Sequence, residues 1–403
     1  MNRASLPAAS LLAAILLAPG HASAAAAQAL DWRFSGFATL GAVYTRSDDL
    51  RFARIGTDAP GGHNPDTGPD SILGLQLGMR LGERNTAVLQ LVTRETPRND
   101  YRPRAALAFL SHQLDPELSV RIGRLRTPFF MLSDSIDLNY GRPWVRPPVE
   151  VYGLNPFPDL DGADLLYRTR LGAGNLELHP YLGASRTPVI GGGEARLSRL
   201  RGISLMYDRG PLTLSAGHAV ADLAVHRNSA EFRNFAANLP PPLRERMSGS
   251  GAHASFSSIG FQWDDGRWLF SGEIARNTAA RFSNSARGVY LMAGYRDGRL
   301  TPYFGLARQH QDRTLLPAGL AATYPELGGL IDGFNRSRNQ AQRSVTAGLR
   351  WDVTPDTALK AELTHVRTDR GAFGSFIPRG DAFAPGLDER SMNLLSLSVD
   401  VVF

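Results

Sequence analysis

The chain of 403 residues has no cysteine, and among its 44 basic side chains only Lys360 is a lysine. Without thiols there is no disulfide framework, no zinc–thiolate site and no thiol nucleophile. Long apolar runs are also missing. Beyond the N-terminus no stretch approaches the length of a membrane-spanning helix, and the mean hydropathy is −0.20. That polar average does not exclude a membrane protein built from strands, because lipid-facing and lumen-facing residues alternate and cancel in any window. Clustered charge is lacking too. The formal net charge is +6, but the arginines are spread along the chain, which argues against a nucleic-acid-binding patch. No HExxH and no GxSxG motif occurs, so nothing points to an enzyme, a metal site or a cofactor.

What is present begins with an export signal. Arg3 precedes an apolar run from Leu6 to Ala18, and small residues follow, with Ala22-Ser23-Ala24 and Ala27-Gln28-Ala29 as cleavage sites. The run is shorter than a bilayer span and reads as a signal peptide. Residues 1–29 are therefore expected to be removed, leaving residues 30–403 as a single domain.

The dominant pattern in that domain is period-two alternation. Leu73, Leu75, Leu77, Met79 and Leu81 share one face, and Gly74, Gln76, Gly78 and Arg80 the other. Val345, Ala347, Leu349 and Trp351 alternate in the same way with Ser344, Thr346, Gly348 and Arg350. Such sorting is that of half-buried strands. It predicts sixteen of them, at 31–46, 70–82, 85–96, 101–114, 117–127, 161–171, 174–186, 198–208, 211–226, 252–264, 267–278, 286–297, 299–310, 339–352, 356–368 and 390–403. The connections alternate between long and short. The short ones carry turn chemistry, as in Gly172-Ala173, Arg209-Gly210 and Asp265-Gly266. Short turns at one end and long loops at the other predict an all-β fold, a closed antiparallel transmembrane barrel with both termini on the periplasmic side. Tyr207, Trp263, Tyr295, Trp351 and Phe403 fall outward near strand ends, as an interfacial girdle requires.

The signal peptide, the alternating strands and gaps, and the C-terminal Phe403 together resemble the Gram-negative outer-membrane porin family. The resemblance implies a sixteen-stranded, water-filled barrel in the outer membrane, in contact with lipid and lipopolysaccharide. It also implies passive diffusion of small polar or ionic solutes and homotrimeric assembly, with Phe403 read by the barrel-assembly machinery. In that family the loop after strand five folds into the lumen. Here that loop is 128–160, with the core Pro143-Trp144-Val145-Arg146-Pro147-Pro148-Val149-Glu150-Val151-Tyr152. It departs from the acidic motif of the enterobacterial general porins, so no constriction residue carries over from them.

Strand parity supplies candidates instead. Arg80, Arg94, Arg104, Arg121, Arg168 and Arg170 fall inward on consecutive strands as a basic wall. The third loop offers Asp134, Asp137, Arg142, Arg146, Glu150, Asp159 and Asp161 as a constriction opposite it. A basic wall facing acidic groups creates a transverse field that favours polar solutes. On strand five Arg124 shares its parity with Val120 and Ile122, which a bulge at Gly123 would resolve. Outward alanines at 38, 42, 87 and 105 suit protein contact. Two other readings remain open: a channel specific for an anion or organic acid, and a structural or adhesive barrel acting through loops 227–251 and 311–338.

Overall fold

The computed structural model describes residues 31–47, 50–54, 64–96, 100–189, 192–378 and 390–403. The export segment lies outside them. Sixteen antiparallel strands close into a barrel. They are β1 (Asp31–Thr45), β3 (Ile72–Leu81), β4 (Asn85–Arg94), β5 (Arg104–Gln113), β6 (Leu118–Arg126), β7 (Asp159–Leu171), β8 (Gly174–Pro188) and β9 (Gly193–Arg209), then β10 (Leu212–Arg227), β11 (Gly249–Asp264), β12 (Trp268–Ala279), β13 (Ser285–Tyr295), β14 (Leu300–Arg313), β15 (Gln342–Thr354), β16 (Thr357–Thr368) and β18 (Ser391–Val402). Each overlaps one predicted span. The largest displacement is at β9, which begins at Gly193 rather than 198.

Closure is made by β1, which pairs with both β3 and β18. The last residue completes the seam: Phe403 N–H donates to Gly36 O (3.0 Å) and Gly36 N–H donates to Phe403 O (2.7 Å). No barrel strand is left with an unpaired edge, as hydrocarbon requires.

The alternation has its expected cause. Leu40, Ile122, Leu182, Ile259, Leu291 and Leu363 point outward and are exposed, a surface that water would not favour but lipid does. Trp32, Trp263, Trp268, Trp351 and Phe403 are exposed on the outer face at the short-turn end. Trp268 stands edge-on to Tyr295 (4.7 Å between ring centroids). The turns use the chemistry read from the sequence. Gly172 and Gly210 adopt φ of +59° and +56°, where an added Cβ would meet nothing; backbone conformation, not crowding, selects glycine there. Asp265 Oδ1 accepts from the N–H groups of Arg267 and Trp268 (2.9 and 2.7 Å), fixing its turn.

The long loops have structure of their own. β2 (Leu50–Phe52) and β17 (Phe376–Pro378), from the first and last long loops, pair with each other and bury Leu50, Phe52 and Phe376 together with Val43, Val366 and Leu394 of the barrel. Helices at Ala230–Ala237, Pro241–Met247, Ala318–Thr323 and Gly328–Arg338 come from two long outer loops, 228–248 and 314–341. They share a small core of Leu239, Leu243, Met247, Leu316 and Ile331. Neither feature follows from period-two alternation.

Candidate functional site: a lumen divided by the third loop

The segment 127–158 leaves β6 and returns in β7. Its polar contacts run to side chains on the inner faces of strands far around the barrel. Ser258 of β11 donates to Phe129 O (2.6 Å), and Met131 N–H donates to Glu273 Oε1 of β12 (3.0 Å). Tyr152 Oη donates to the other oxygen of Glu273 (2.7 Å). Asn139 Nδ2 donates to Thr39 of β1 (3.2 Å), and Asn277 of β12 donates to Leu154 O (3.0 Å). A segment held by β1, β11, β12, β15, β16 and β18 runs as a chord across the interior.

Charged groups supply the strongest of these contacts. Arg146 forms a two-pronged pair with Asp70 (2.8 and 2.5 Å), donates to Ser396 of β18 (2.7 Å) and lies 3.6 Å from Glu362 of β16. Its ring neighbour is Phe52, 4.8 Å from the guanidinium. Burial opposes the charge, but Asp70 and Glu362 outweigh it and hold Arg146 above its ordinary range. Lys360 of β16 is wholly buried. Its ammonium donates to Asn139 O (2.7 Å) and Trp144 O (3.0 Å) and pairs with Asp400 of β18 (2.8 Å). Three acceptors meet the three donors of one compact cation. Arg350 of β15 donates to the carbonyls of Tyr140 and Arg142.

Glu150 lies in the short helix Val149–Tyr152 and accepts from Gln342 of β15 (2.7 Å). No arginine is paired with it among the described residues, and burial pushes its carboxyl up. Arg142 donates to Ile136 O (2.8 Å) and Asn139 Oδ1 (3.1 Å), and burial lowers it to about 10. Asp137 shows the opposite balance. Burial raises its carboxyl, but Arg126, Arg94, Arg104 and Arg54 together hold it far below the usual carboxylate range. It pairs with Arg94 (3.1 Å) and with Arg126.

Approach of the loop to the wall is close enough to select glycine. A Cβ on Gly288 of β13 would stand 2.0 Å from Glu150 O.

The remaining wall is covered less. Gln76, Gln90, Ser111 and Arg121 on β3 to β6 are half-buried, and Arg80, Arg168 and Arg170 are exposed on inward positions near the short-turn end. Arg168 pairs with Glu177 (2.6 Å). Arg121 forms a two-pronged pair with Asp164 (2.9 and 2.6 Å), and His179 Nε2 lies 2.7 Å from the same carboxylate. Asp134 is the exposed carboxylate of the loop, and its charge bears on Arg121 and Arg126. At the loop end a cavity of about 200 Å³ is lined by Arg54, Arg94, Arg102, Arg104 and Arg186 along with Glu95, Asp137 and Asp159.

The predicted site residues therefore fall into separate groups. Arg94 and Arg104 stand at the loop end, engaged with Asp137 and Asp159. Arg80, Arg121, Arg168 and Arg170 stand lower. Two acidic candidates need correction. Asp159 and Asp161 belong to β7 and not to the loop. Asp161 shares the outward face with Ile122 and Leu165, paired with Arg124 (2.6 and 2.8 Å). The predicted bulge at Gly123 is also absent, since the registers with β5 and β7 run through it unbroken. Arg124 lies outward because Asp161 opposite neutralises it. Lys360, Glu362 and Glu273 carry much of the loop's anchorage but were not singled out from the sequence. Their inward parity was legible; their loop partners were not.

A closed sixteen-stranded barrel with a lipid-facing apolar band, an aromatic girdle and no helix among the described residues long and apolar enough to cross a membrane is a porin-like outer-membrane β-barrel. Solved structures of that class resemble it. An anion-selective porin from Comamonas acidovorans matches at 14% identity and TM-score 0.53, covering 93% of this chain and 100% of that one. The outer membrane channel DcaP of Acinetobacter baumannii matches at 12% identity and TM-score 0.51, covering 93% and 97%. The trimer form of OmpT, an outer membrane protein of Vibrio cholerae, matches at 10% identity and TM-score 0.54, covering 93% and 99%. At these identities the likeness concerns the fold alone. No protein-family model matches the chain, and no curated protein matches its sequence.

Proposed function

We propose that this protein is a passive channel of the outer membrane, admitting small polar or ionic solutes and favouring anions. The observation that carries the reading is the asymmetry of the lumen. The third loop is fastened to β1, to the β11–β18 side and, through Asp137, to Arg94 and Arg126, while Arg80, Arg168 and Arg170 stay exposed and Arg121 half-buried on β3 to β7. The cavity at the loop end is lined by arginine as well. Arginine-rich linings attract anions. Export through cleavage between residues 24 and 29, periplasmic termini, contact with lipopolysaccharide, and reading of Phe403 by the assembly machinery complete the proposal. So does a homotrimer, for which the outward Ala38, Ala42, Ala87 and Ala105 provide a smooth face on β1, β4 and β5.

Planar-bilayer recording tests this. In a potassium chloride gradient the reversal potential is expected to have the sign of chloride preference. Asp134→Asn should strengthen that preference, and Arg80→Gln with Arg121→Gln should reduce it. Failure of the folded protein to conduct would overturn the channel reading and favour a structural barrel acting through its outer loops.

A further inference from the structure

One sector of the barrel's outer face carries a row of charge at the long-loop end of the apolar band. Arg276 of β12, Arg287 of β13, Arg308 of β14, Arg343 of β15 and Arg367 of β16 are all exposed. Each shares the outward face of its strand with an exposed apolar residue: Ile274, Val289, Leu306, Val345 and Leu363 in turn.

Strand register brings the arginines side by side. Arg308 stands directly opposite Arg343, and Arg343 opposite Arg367; Arg276 stands opposite Arg287. Neighbouring strands lie about 4.8 Å apart, so Arg308, Arg343 and Arg367 form a row about 10 Å long. Like charges directly opposite on a sheet are destabilising. On other sectors of the outer face an acid meets the base, as Asp161 meets Arg124 and Asp222 meets Arg199. Asp312 likewise serves Arg276 (3.0 Å) and Arg287 (3.4 Å). Arg308, Arg343 and Arg367 make no salt bridge and no side-chain hydrogen bond among the described residues.

The height of the row identifies what lies against it. Trp351 is exposed on the same face of β15 at the short-turn end. From there to Arg343 is about 27 Å of strand, or about 20 Å of height at the usual barrel tilt. An apolar band is roughly 25 Å tall, so the row stands near the opposite membrane surface, at headgroup level. Below it Leu306, Val345 and Leu363 continue the lipid-facing band. An anionic head on the arginines and acyl chains on these residues satisfy both parts of the surface at once. A phosphodiester head brings one negative charge, whereas a phosphate monoester brings about 1.5 to 2. Three arginines without an acid suit a head with more than one phosphate, and the planar guanidinium fork meets phosphate oxygens in pairs.

We propose that Arg308, Arg343 and Arg367 bind the phosphate groups of the multiply phosphorylated glycolipid of the outer leaflet, lipopolysaccharide, with its acyl chains against Leu306, Val345 and Leu363. The inference rests on the proposed outer-membrane placement with the long loops outward, and not on conduction. It sets lipid on β14 to β16, away from the alanine face of β1, β4 and β5.

Native mass spectrometry of the full-length folded barrel in detergent tests it, with bis-phosphorylated lipid A as probe. Dephosphorylated lipid A and dioleoyl phosphatidylglycerol serve as comparisons. Retention of lipid A is expected, with both comparisons at least about tenfold weaker, the loss of one charge-assisted contact. Each arginine at an anionic lipid surface contributes about fivefold. The triple variant Arg308→Gln, Arg343→Gln, Arg367→Gln should therefore bind about a hundredfold more weakly. Arg124→Gln, which removes an outward arginine elsewhere, should bind as the wild type does, and excess inorganic phosphate should leave the lipid in place. Circular dichroism reports that each variant is folded. Absence of lipid A from the folded wild type, equal retention of either comparison, displacement by free phosphate, an equal loss in Arg124→Gln, or undiminished binding in the triple variant would each overturn the proposal. The triple variant should conduct as the wild type does, so the lipid site and the channel reading can fail separately.

Discussion

Replacing the single lysine should release the third loop. In Lys360→Met the side chain keeps its length and apolar stem but loses the charge that meets Asn139 O, Trp144 O and Asp400 at 2.7, 3.0 and 2.8 Å. Asp400 is fully buried and would retain Thr39 as its principal donor (2.6 Å). Removing one partner of a buried ion pair costs about 3–5 kcal/mol. The barrel can avoid most of that cost in one way. The ladders of β16 with β15 and β18 do not need the ammonium, whereas withdrawal of the loop admits water to Asp400. The penalty therefore falls on the docked state, shifting the docking equilibrium by roughly two to three and a half powers of ten. Trp144 is buried among these contacts, while Trp32, Trp263, Trp268 and Trp351 are exposed on the outer face. The variant should show red-shifted tryptophan emission and a larger, noisier single-channel conductance, with unchanged strand content by circular dichroism. Adding Asp400→Asn should recover part of the loss by removing the uncompensated charge. Wild-type emission and conductance in Lys360→Met would refute the assignment of this lysine as the loop's anchor.

The same docking equilibrium is open to other perturbations. Glu150 is raised above its ordinary value of 4.5, so its contribution to docking is full below that pH and is lost as pH rises through the raised pKa. Glu150→Gln, which keeps an acceptor for Gln342, should flatten this dependence in conductance recorded between acidic and neutral pH; an unchanged profile would exclude Glu150 as its source. Asp137 acts in the opposite sense. Its carboxylate is depressed from 3.8, so its contribution holds above that pH and fails only in stronger acid, where Trp144 emission should shift. Gly288→Ala places a methyl group against the Glu150 carbonyl; overpacking of this kind costs about 1–3 kcal/mol and should enlarge the conductance without lowering the strand content.

The barrel was legible because lipid imposes a rule that sequence must obey. The strands keep a largely apolar outer face, so period-two alternation persists around the barrel even where the inner residues vary. The inner face answers to several neighbours at once. On β18, Ser396, Ser398 and Asp400 read as wet lumen positions, yet the third loop covers them and all three are buried. On β10 the inward positions are apolar as well, and alternation fades over residues 219–225 into a nearly continuous apolar run. That is the pattern of a strand dry on both faces. Asp161 was misplaced for a different reason: strand ends are set by pairing, and β6 runs on past Arg124 to Arg126, which carries β7 back to Asp159.

The sign of the pore's field follows from where the acidic groups are used. Glu273 accepts from Met131 and Tyr152, Glu362 from Val145 and Tyr303, and Asp70 and Asp400 pair with Arg146 and Lys360. Each of these carboxylates lies on the loop-bearing side and is occupied in holding the loop. On the opposite wall Asp164 is matched by Arg121 and Glu177 by Arg168, while no carboxylate among the described residues pairs with Arg80 or Arg170. Fixing the loop thus occupies these carboxylates, while Arg80 and Arg170 keep no carboxylate partner among the described residues. On the proposed channel reading, anion preference would follow from how the loop is anchored, and loosening the loop should weaken selectivity as it widens the pore.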